Sequence, residues 1–296
     1  MTDSKLIERG AKSVHVPAGL KRAVALTWSL ALREIRSQYN KTALGRTWSL
    51  ISPLVTIAVF SVVFGLIFAG KAPTGINSHV DSFAMWIAVG VVTWSFISSS
   101  IGAGMGALVS NSGLLEKVYF PRGVLVFSTV ISAVVTFGTE LGVVVVIMAF
   151  VGGPMVFLSI PGIIVFILLA AMFTTGIGLA LSVAVVWFRD LEYLWSLLSQ
   201  VWMYASGVVF PITLIESASH RLFQDGVALN GEPLPLVFIF RLNPAEQFLE
   251  AFRSLIYDYA LPPLSVWISC LAWSIGAMVI GGLIFRAKQS RIVEEL

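Results

Sequence analysis

Arg33 and Arg36, three residues apart, and Arg46 a little further on are the side chains of this sequence best suited to hold an anion. A guanidinium is a planar fork that meets phosphate oxygens with two parallel hydrogen bonds. One carboxyl, Glu140, stands within a long apolar run, inside Gly138-Thr-Glu-Leu-Gly142. An ionisable group in lipid is costly and points to a function. The GxxxG spacing around it also permits close helix approach, with the carboxyl hydrogen-bonded at a helix or subunit contact. The usual catalytic motifs are missing. No GxxxxGK[ST] phosphate loop is present, since Gly70-Lys71 continues into Ala72. There is no HExxH, no GxSxG and no paired acidic motif within the apolar runs. The single cysteine, Cys270, has no disulfide partner, and His15, His79 and His220 lie far apart, so no metal site is expected. Catalysis by this chain alone is not expected.

The elements that position these residues belong in a bilayer. Of 296 residues, 57% are hydrophobic and 12% charged, with a mean hydropathy of +0.90. Soluble domains carry roughly twice that share of charge. A water-soluble globular fold is thereby excluded, and disorder with it, because too much apolar surface would stay solvated. Six apolar runs, at about 51–69, 83–108, 124–151, 159–187, 191–212 and 264–285, are each long enough to cross a membrane as a helix. They are too long, and too apolar all round, for barrel strands. The expected fold is an all-α integral membrane protein with six transmembrane helices. Residues 1–50 form a cytoplasmic N-terminal segment, 51–285 the six-helix domain and 286–296 a cytoplasmic tail. With six spans, the side holding both termini receives 15 of the 19 Lys and Arg, which places both termini in the cytoplasm. The first apolar run begins behind a polar stretch with no small-x-small pattern after it, so no cleaved signal peptide is expected. The pI near 9.1 reflects these cytoplasmic flanks rather than nucleic-acid binding.

Three further segments are not simple spans. In 21–41, Val24, Trp28, Leu32, Ile35 and Tyr39 share one face of a helix and Arg22, Ser29, Arg33, Arg36 and Asn40 the other. Such a helix lies in the membrane interface, either as an anchor on anionic headgroups or with its arginines on the anionic head of a cargo lipid. In 109–123, Asn111 or Ser112 caps a short helix over Leu114–Phe120 that Pro121 stops. Exposed Tyr119 and Phe120 would then call for a covering partner or the membrane surface. In the long outer loop, 213–263, Asn243-Pro244-Ala245-Glu246 is a helix start, with Asn as N-cap, Pro at the first position and an acid at the third. Leu249, Phe252, Leu255, Ile256 and Tyr259 give this helix an apolar face. It either re-enters to cover a pore mouth, lies on the outer surface, or simply packs against the bundle. The many Trp at span ends fit an aromatic belt.

With these strings in place, the chain resembles the membrane subunit of ABC-2-type exporters, in the branch that exports O-antigen, teichoic acid and related polysaccharides. The resemblance runs along essentially the whole chain. It is carried by Arg33-Glu-Ile-Arg36-Ser-Gln-Tyr39, then Leu44-Gly45-Arg46-Thr-Trp48 and Pro53, and by Glu116 to Arg122 (EKVYFPR). Arg189-Asp190-Leu191 with Tyr193, Tyr204-Ala-Ser206, Phe210-Pro211, Leu242-Asn243-Pro244 and Phe252-Arg253 continue it in order. The resemblance implies a homodimer served by two copies of a separate nucleotide-binding ATPase, with ATP and magnesium in that partner and no cofactor in this chain. Glu116, Lys117, Tyr119, Phe120, Pro121 and Arg122, with Arg189 and Asp190, would couple to the ATPase. Arg33, Arg36 and Arg46 would meet the diphosphate of a polyprenyl-linked glycan, and Asn243, Pro244 and Phe252 would serve an outer gate. The location implied is a bacterial inner membrane, multi-pass. Neither Glu140 nor the outer-loop stretch Gln224–Glu232 receives a role. Rival readings are an ABC-2 permease for a drug or other small molecule, a membrane-embedded lipid-glycan enzyme, and a proton-coupled transporter using Glu140.

Overall fold

The computed structural model describes residues 20–38, 73–115, 120–225, 228–229 and 232–289, with a few positions between 51 and 63. In chain order, the N-terminal helix α1 covers Leu20–Gln38, α2 Phe83–Ser110, the single turn α3 Ser112–Leu115 and α4 Gly123–Val151. A 3-10 segment, Pro154–Ser159, leads into α5, Ile160–Trp187. Next come α6, Leu191–Ala205, α7, Ile212–Gln224, and a ribbon of β1, Ala228–Leu229, against β2, Glu232–Pro233. The chain then forms α8, Leu236–Arg241, α9, Pro244–Ile256, and α10, Leu264–Lys288. Among the described residues the regular structure is helical apart from that two-rung ribbon, which begins in the Gln224–Glu232 stretch.

Four of these elements are long and apolar enough to cross a membrane: α2, α4, α5 with its 3-10 lead-in, and α10. Their boundaries agree with the runs predicted at 83–108, 124–151, 159–187 and 264–285. The run at 51–69 lies almost wholly outside the described residues. The run at 191–212 is shorter as a helix than its hydropathy suggests. α6 has 15 residues, about 22 Å of rise against a core of about 30 Å. It ends where Gly207 takes φ +65° and Pro211 follows, and the chain turns into α7.

α2 is the hub, packing on α4, α5 and α9, while α5 also lies along α10. The crossings are tight because they are lined with glycine. Gly104 of α2 meets Gly178 of α5, where an added Cβ would stand 3.1 Å from the facing Cα. A Cβ on Gly281 of α10 would collide with the Gly176 backbone of α5. Small residues let helices approach in lipid, where no hydrophobic drive brings them together. Polar side chains cross the same contacts: Ser100 Oγ donates to Thr174 Oγ1 at 3.0 Å, and Ser274 Oγ to the Leu169 carbonyl at 2.8 Å. The outward faces of α10 and α5 are Leu, Ile and Val, as a lipid solvent requires.

α9 begins where its sequence signal says, with Asn243 Oδ1 accepting from the Ala245 N–H at 3.0 Å. Of the placements left open for it, the structure shows the helix inside the bundle. Phe252 sits fully buried between Phe137 (5.4 Å, edge-on) and Phe166 (6.3 Å), and Phe137 stacks on Phe96 at 4.5 Å. The following turn is tied to the 73–82 loop. Tyr257 Oη donates to the Val80 carbonyl at 2.7 Å, and Asn77 Nδ2 to the Tyr259 carbonyl at 3.0 Å.

Candidate functional site

Two groups of residues emerge, one at each end of the bundle. The first gathers at the end where α2 stops, α4 starts and α5 turns into α6. α1 is a helix as predicted, but it has three faces rather than two. Ala31 is buried and Leu30 packs into the cluster of Ala107, Leu108, Leu125 and Val126. Val24 and Trp28 stand exposed, as lipid-facing residues of an interface helix would, while Arg33 and Arg36 project on the polar side. Arg33 reaches across to the loop, its Nη2 donating to Asn111 Oδ1 at 3.0 Å. Asn111 Nδ2 in turn closes on the Ala107 carbonyl at 2.9 Å. The arginine side of α1 is thus joined to the start of the 111–122 loop.

Of the residues expected to couple to an ATPase, Glu116, Lys117 and Tyr119 lie outside the described residues, as does Arg46 of the anion-binding set. The expected helix over Leu114–Phe120 is described only as the short turn α3. Phe120 is half-buried against the same cluster that holds Leu30, so it is not free in water as the sequence suggested. Pro121 is exposed and Arg122 half-buried at the start of α4. Arg189 and Asp190 are exposed in the α5–α6 turn. The position of α6 brings that turn to the same end: Trp195 lies against Gly102 and the Glu192 carboxylate against Gly106, near the end of α2.

Beside this region is a cavity of about 250 Å³ between α1, α2 and α4, with Glu34, Ser95, Ser99, Thr129, Thr136 and Glu140 among its walls. Glu140 makes no hydrogen bond or ion pair to a described residue, so the satisfied contact expected for it is not seen among the described residues. No described atom comes within 4 Å of a Cβ built on Gly138 or Gly142 either. Glu34 is an addition to the sequence reading. Position 34 falls between the two faces drawn for α1, which is the third face, turned inward.

The second group is a joint between the C-terminal end of α6 and α9. Trp202 Nε1 donates to Asn243 Oδ1 at 2.8 Å, and Asn243 Nδ2 donates to the Ala205 carbonyl (3.0 Å) and Ser206 Oγ (2.9 Å). One residue therefore caps α9 and clamps the end of α6. Pro244, next to it, is half-buried at the first position of the helix. Three turns on, Arg253 donates from Nη1 to the Gly207 carbonyl (3.0 Å) and from Nη2 to the Val208 carbonyl (2.8 Å). Its Cζ lies 3.5 Å from the centroid of the Trp86 ring. Gly90 makes room for it: a Cβ there would be 2.5 Å from Nη2. Sequence reading singled out Asn243 and Pro244 through helix-cap chemistry. It set Trp202 in the aromatic belt and Arg253 in a family string, and passed over Gly90; their contacts here, Trp202 to Asn243 and Arg253 to Gly207 across 41 and 46 residues and Gly90 to Arg253 across more, join parts of the chain far apart in sequence.

Burial governs the charges of this joint, which belongs to a helix too short to span. Burial pulls the Arg253 guanidinium down to about 9, the nearby Glu250, Glu246 and Asp258 opposing it, and it stays cationic at neutral pH. Burial, with the Glu250 charge adding to it, raises the Glu246 carboxyl to about 7. Burial likewise raises Asp258 to about 6, against the Ile76 N–H that its Oδ1 accepts at 3.3 Å.

Long apolar helices crossed by glycine contacts, with polar groups gathered at both ends, define a multi-pass helical membrane protein. The pattern of the ABC-2 type transporter family matches residues 25–224, and the chain belongs to that family. Among curated proteins it is 25% identical, over 90% of its own length and 94% of the relative's, to the O-antigen export system permease protein RfbA of Myxococcus xanthus. A protein of the same description from Klebsiella pneumoniae is 23% identical over 77% of this chain and 91% of its own. The polysialic acid transport protein KpsM of Escherichia coli is 24% identical over 62% of this chain and 69% of its own.

Proposed function

We propose that this chain is the membrane subunit of an ATP-driven exporter that carries polyprenyl-diphosphate-linked polysaccharide out across the cytoplasmic membrane of a bacterium. The observation that carries the reading is the similarity to an O-antigen export permease along 90% of the chain, and the arginines of α1 support it. Arg33 and Arg36 are exposed there, and Arg33 is bonded to the loop that would contact an ATPase. A diphosphate held by those arginines, with Arg46, would sit where ATP-driven motion enters the membrane subunit. Glu116 to Arg122 and the Arg189–Asp190 turn would receive the ATPase.

In this reading two chains form a homodimer, each served by one ATPase subunit that binds ATP and magnesium. α6 supplies the best candidate seam. No α6 residue is buried, and Tyr193, Leu197, Val201 and Tyr204 form one exposed apolar stripe. Residues 51–69 and α6 with its following turn would complete six spans, with both termini cytoplasmic. α9, beginning at Asn243 and Pro244 and held by Phe252, would stand at the outer gate. Rigid-body rearrangement of the two copies would open a passage between them.

The test is purification of the chain together with the ATPase encoded beside it, followed by hydrolysis assays with polyprenyl-diphosphate glycan. A complex of two plus two whose hydrolysis rises with that lipid is the expected result. A chain that captures no ATPase, or hydrolysis indifferent to the lipid, would overturn it.

A further inference from the structure

Arg253 is a buried cation that forms no ion pair with a described residue. Its fork is committed to two neutral carbonyls, its face to Trp86, and its buried Nε has no acceptor among the described residues. Yet Glu246, Glu250 and Asp258 all stand close enough for their charges to act on it. Beside it is a cavity of about 210 Å³ whose walls include Ser206, Thr213, Glu246, Glu250, Asp258 and Arg253 itself. A desolvated guanidinium held only by peptide dipoles is poorly compensated, whereas hydrogen bonds to carboxylate are about twice as strong as neutral ones. The better partners line the same cavity as Arg253.

The two elements that Arg253 joins differ in how firmly they are held. α9 is buried along its length, so the base of Arg253 is fixed. No residue of α6 is buried, whereas Ser206, Gly207 and Val208 just beyond it are, turning through Gly207 at φ +65°. A shift of α6 would have to carry this buried turn with it and release the Asn243 bonds to Ala205 and Ser206. When the Gly207 and Val208 carbonyls withdraw, the guanidinium loses both acceptors, and the charged groups on the walls of the same cavity are Glu250, Asp258 and Glu246, the last already engaged by Gln247 Nε2 at 2.8 Å. Two discrete arrangements of one packed joint are the usual means by which a small displacement becomes a switch.

We propose that Arg253 is a two-position pin between α6 and α9, bound to the Gly207 and Val208 carbonyls in the arrangement seen here and to the Glu250 and Asp258 carboxylates when the end of α6 withdraws during transport. It acts as a positioning residue: it touches no cargo, and it links movement of the α6 lever, whose other end is the Arg189–Asp190 turn, to the outer helix. The inference rests on the exporter reading above.

The discriminating variant is Glu250→Gln with Asp258→Asn, studied in the permease–ATPase complex in lipid. It keeps side-chain volume, touches none of the Arg253 bonds present here, and leaves an oxygen at position 258 for the Ile76 N–H. The complex should assemble with wild-type yield and thermal stability and hydrolyse ATP normally. Export of polyprenyl-diphosphate glycan should fall roughly tenfold, within the usual range for coupled equilibria. Export at the wild-type rate would make Arg253 a static staple and overturn the pin. Cryo-EM of the wild-type complex, resting and trapped with ATP, is the second measurement and decides the matter if the variant does not fold. Arg253 on the two carbonyls in one state and on the carboxylates in the other is the result expected; the carbonyls in both would refute it. A wild-type complex that hydrolyses ATP and moves no such lipid would defeat the exporter reading instead, and the two structures would still decide the pin.

Discussion

α6 and α9 are bonded to each other at one end and embedded in opposite ways. α6 is the more apolar, rich in Leu, Trp and Tyr, and none of its 15 residues is buried. α9 carries Glu246, Gln247, Glu250 and Arg253, and 11 of its 13 residues are buried. In water the assignment would be reversed. In a bilayer apolar surface is free to face lipid or a second protein copy, while polar groups need partners that only the protein interior supplies. Burial here follows the need for hydrogen bonds more closely than it follows hydrophobicity. The contrast also divides labour: α9 is a fixed post, and α6 is a lever tied to it by Asn243, Trp202 and Arg253.

The largest effect should come from attacking the post. Phe252→Ala empties the centre of the Phe96, Phe137 and Phe166 set and should cost about 3–5 kcal/mol. It should abolish the monodisperse peak of the detergent-purified chain in size-exclusion chromatography; a normal peak would mean that α9 is not the anchor. An intermediate effect is expected at the tie. Gly90→Ala places a methyl 2.5 Å from Arg253 Nη2 and 3.1 Å from the Val208 carbonyl, and should cost about 1–3 kcal/mol. Thermal melts should show the loss, and it should shrink when Arg253→Ala is added, since the clash is then relieved. The smallest effect on stability belongs to the lever. Leu197→Ala with Val201→Ala should stay within about 0.5 kcal/mol in the melt, as exposed positions do. The same change should sharply reduce cross-linking between two copies in membranes. Unaltered cross-linking would remove α6 as the seam.

How much of this could be read in the sequence varies with the kind of signal. Long apolar runs located α2, α4, α5 and α10 because a spanning helix needs length above all. Cap chemistry located the start of α9 to the residue, since Asn243 and Pro244 act locally. The burial of α9 was not legible: its charges resemble a surface helix until Gly207, Val208 and Trp86 are known to receive Arg253. Hydropathy overran the end of α6 because residues 206–212 stay apolar while Gly207 and Pro211 bend the backbone. The third face of α1 was missed because a single hydrophobic direction cannot represent a helix that meets protein, lipid and water at once. Glu34, set between the two faces drawn, faces the cavity that also holds Glu140.

The proposed activity is movement of a lipid-linked glycan, and transport itself is the direct measurement. The permease–ATPase complex would be reconstituted into proteoliposomes and supplied with fluorescent polyprenyl-diphosphate glycan and ATP on the ATPase side. Glycan should become protected in the lumen with ATP but not with a non-hydrolysable analogue, and protection should weaken when Arg33 and Arg36 are both replaced by Ala. Glycan that stays accessible on the outside while ATP is steadily hydrolysed would contradict that activity.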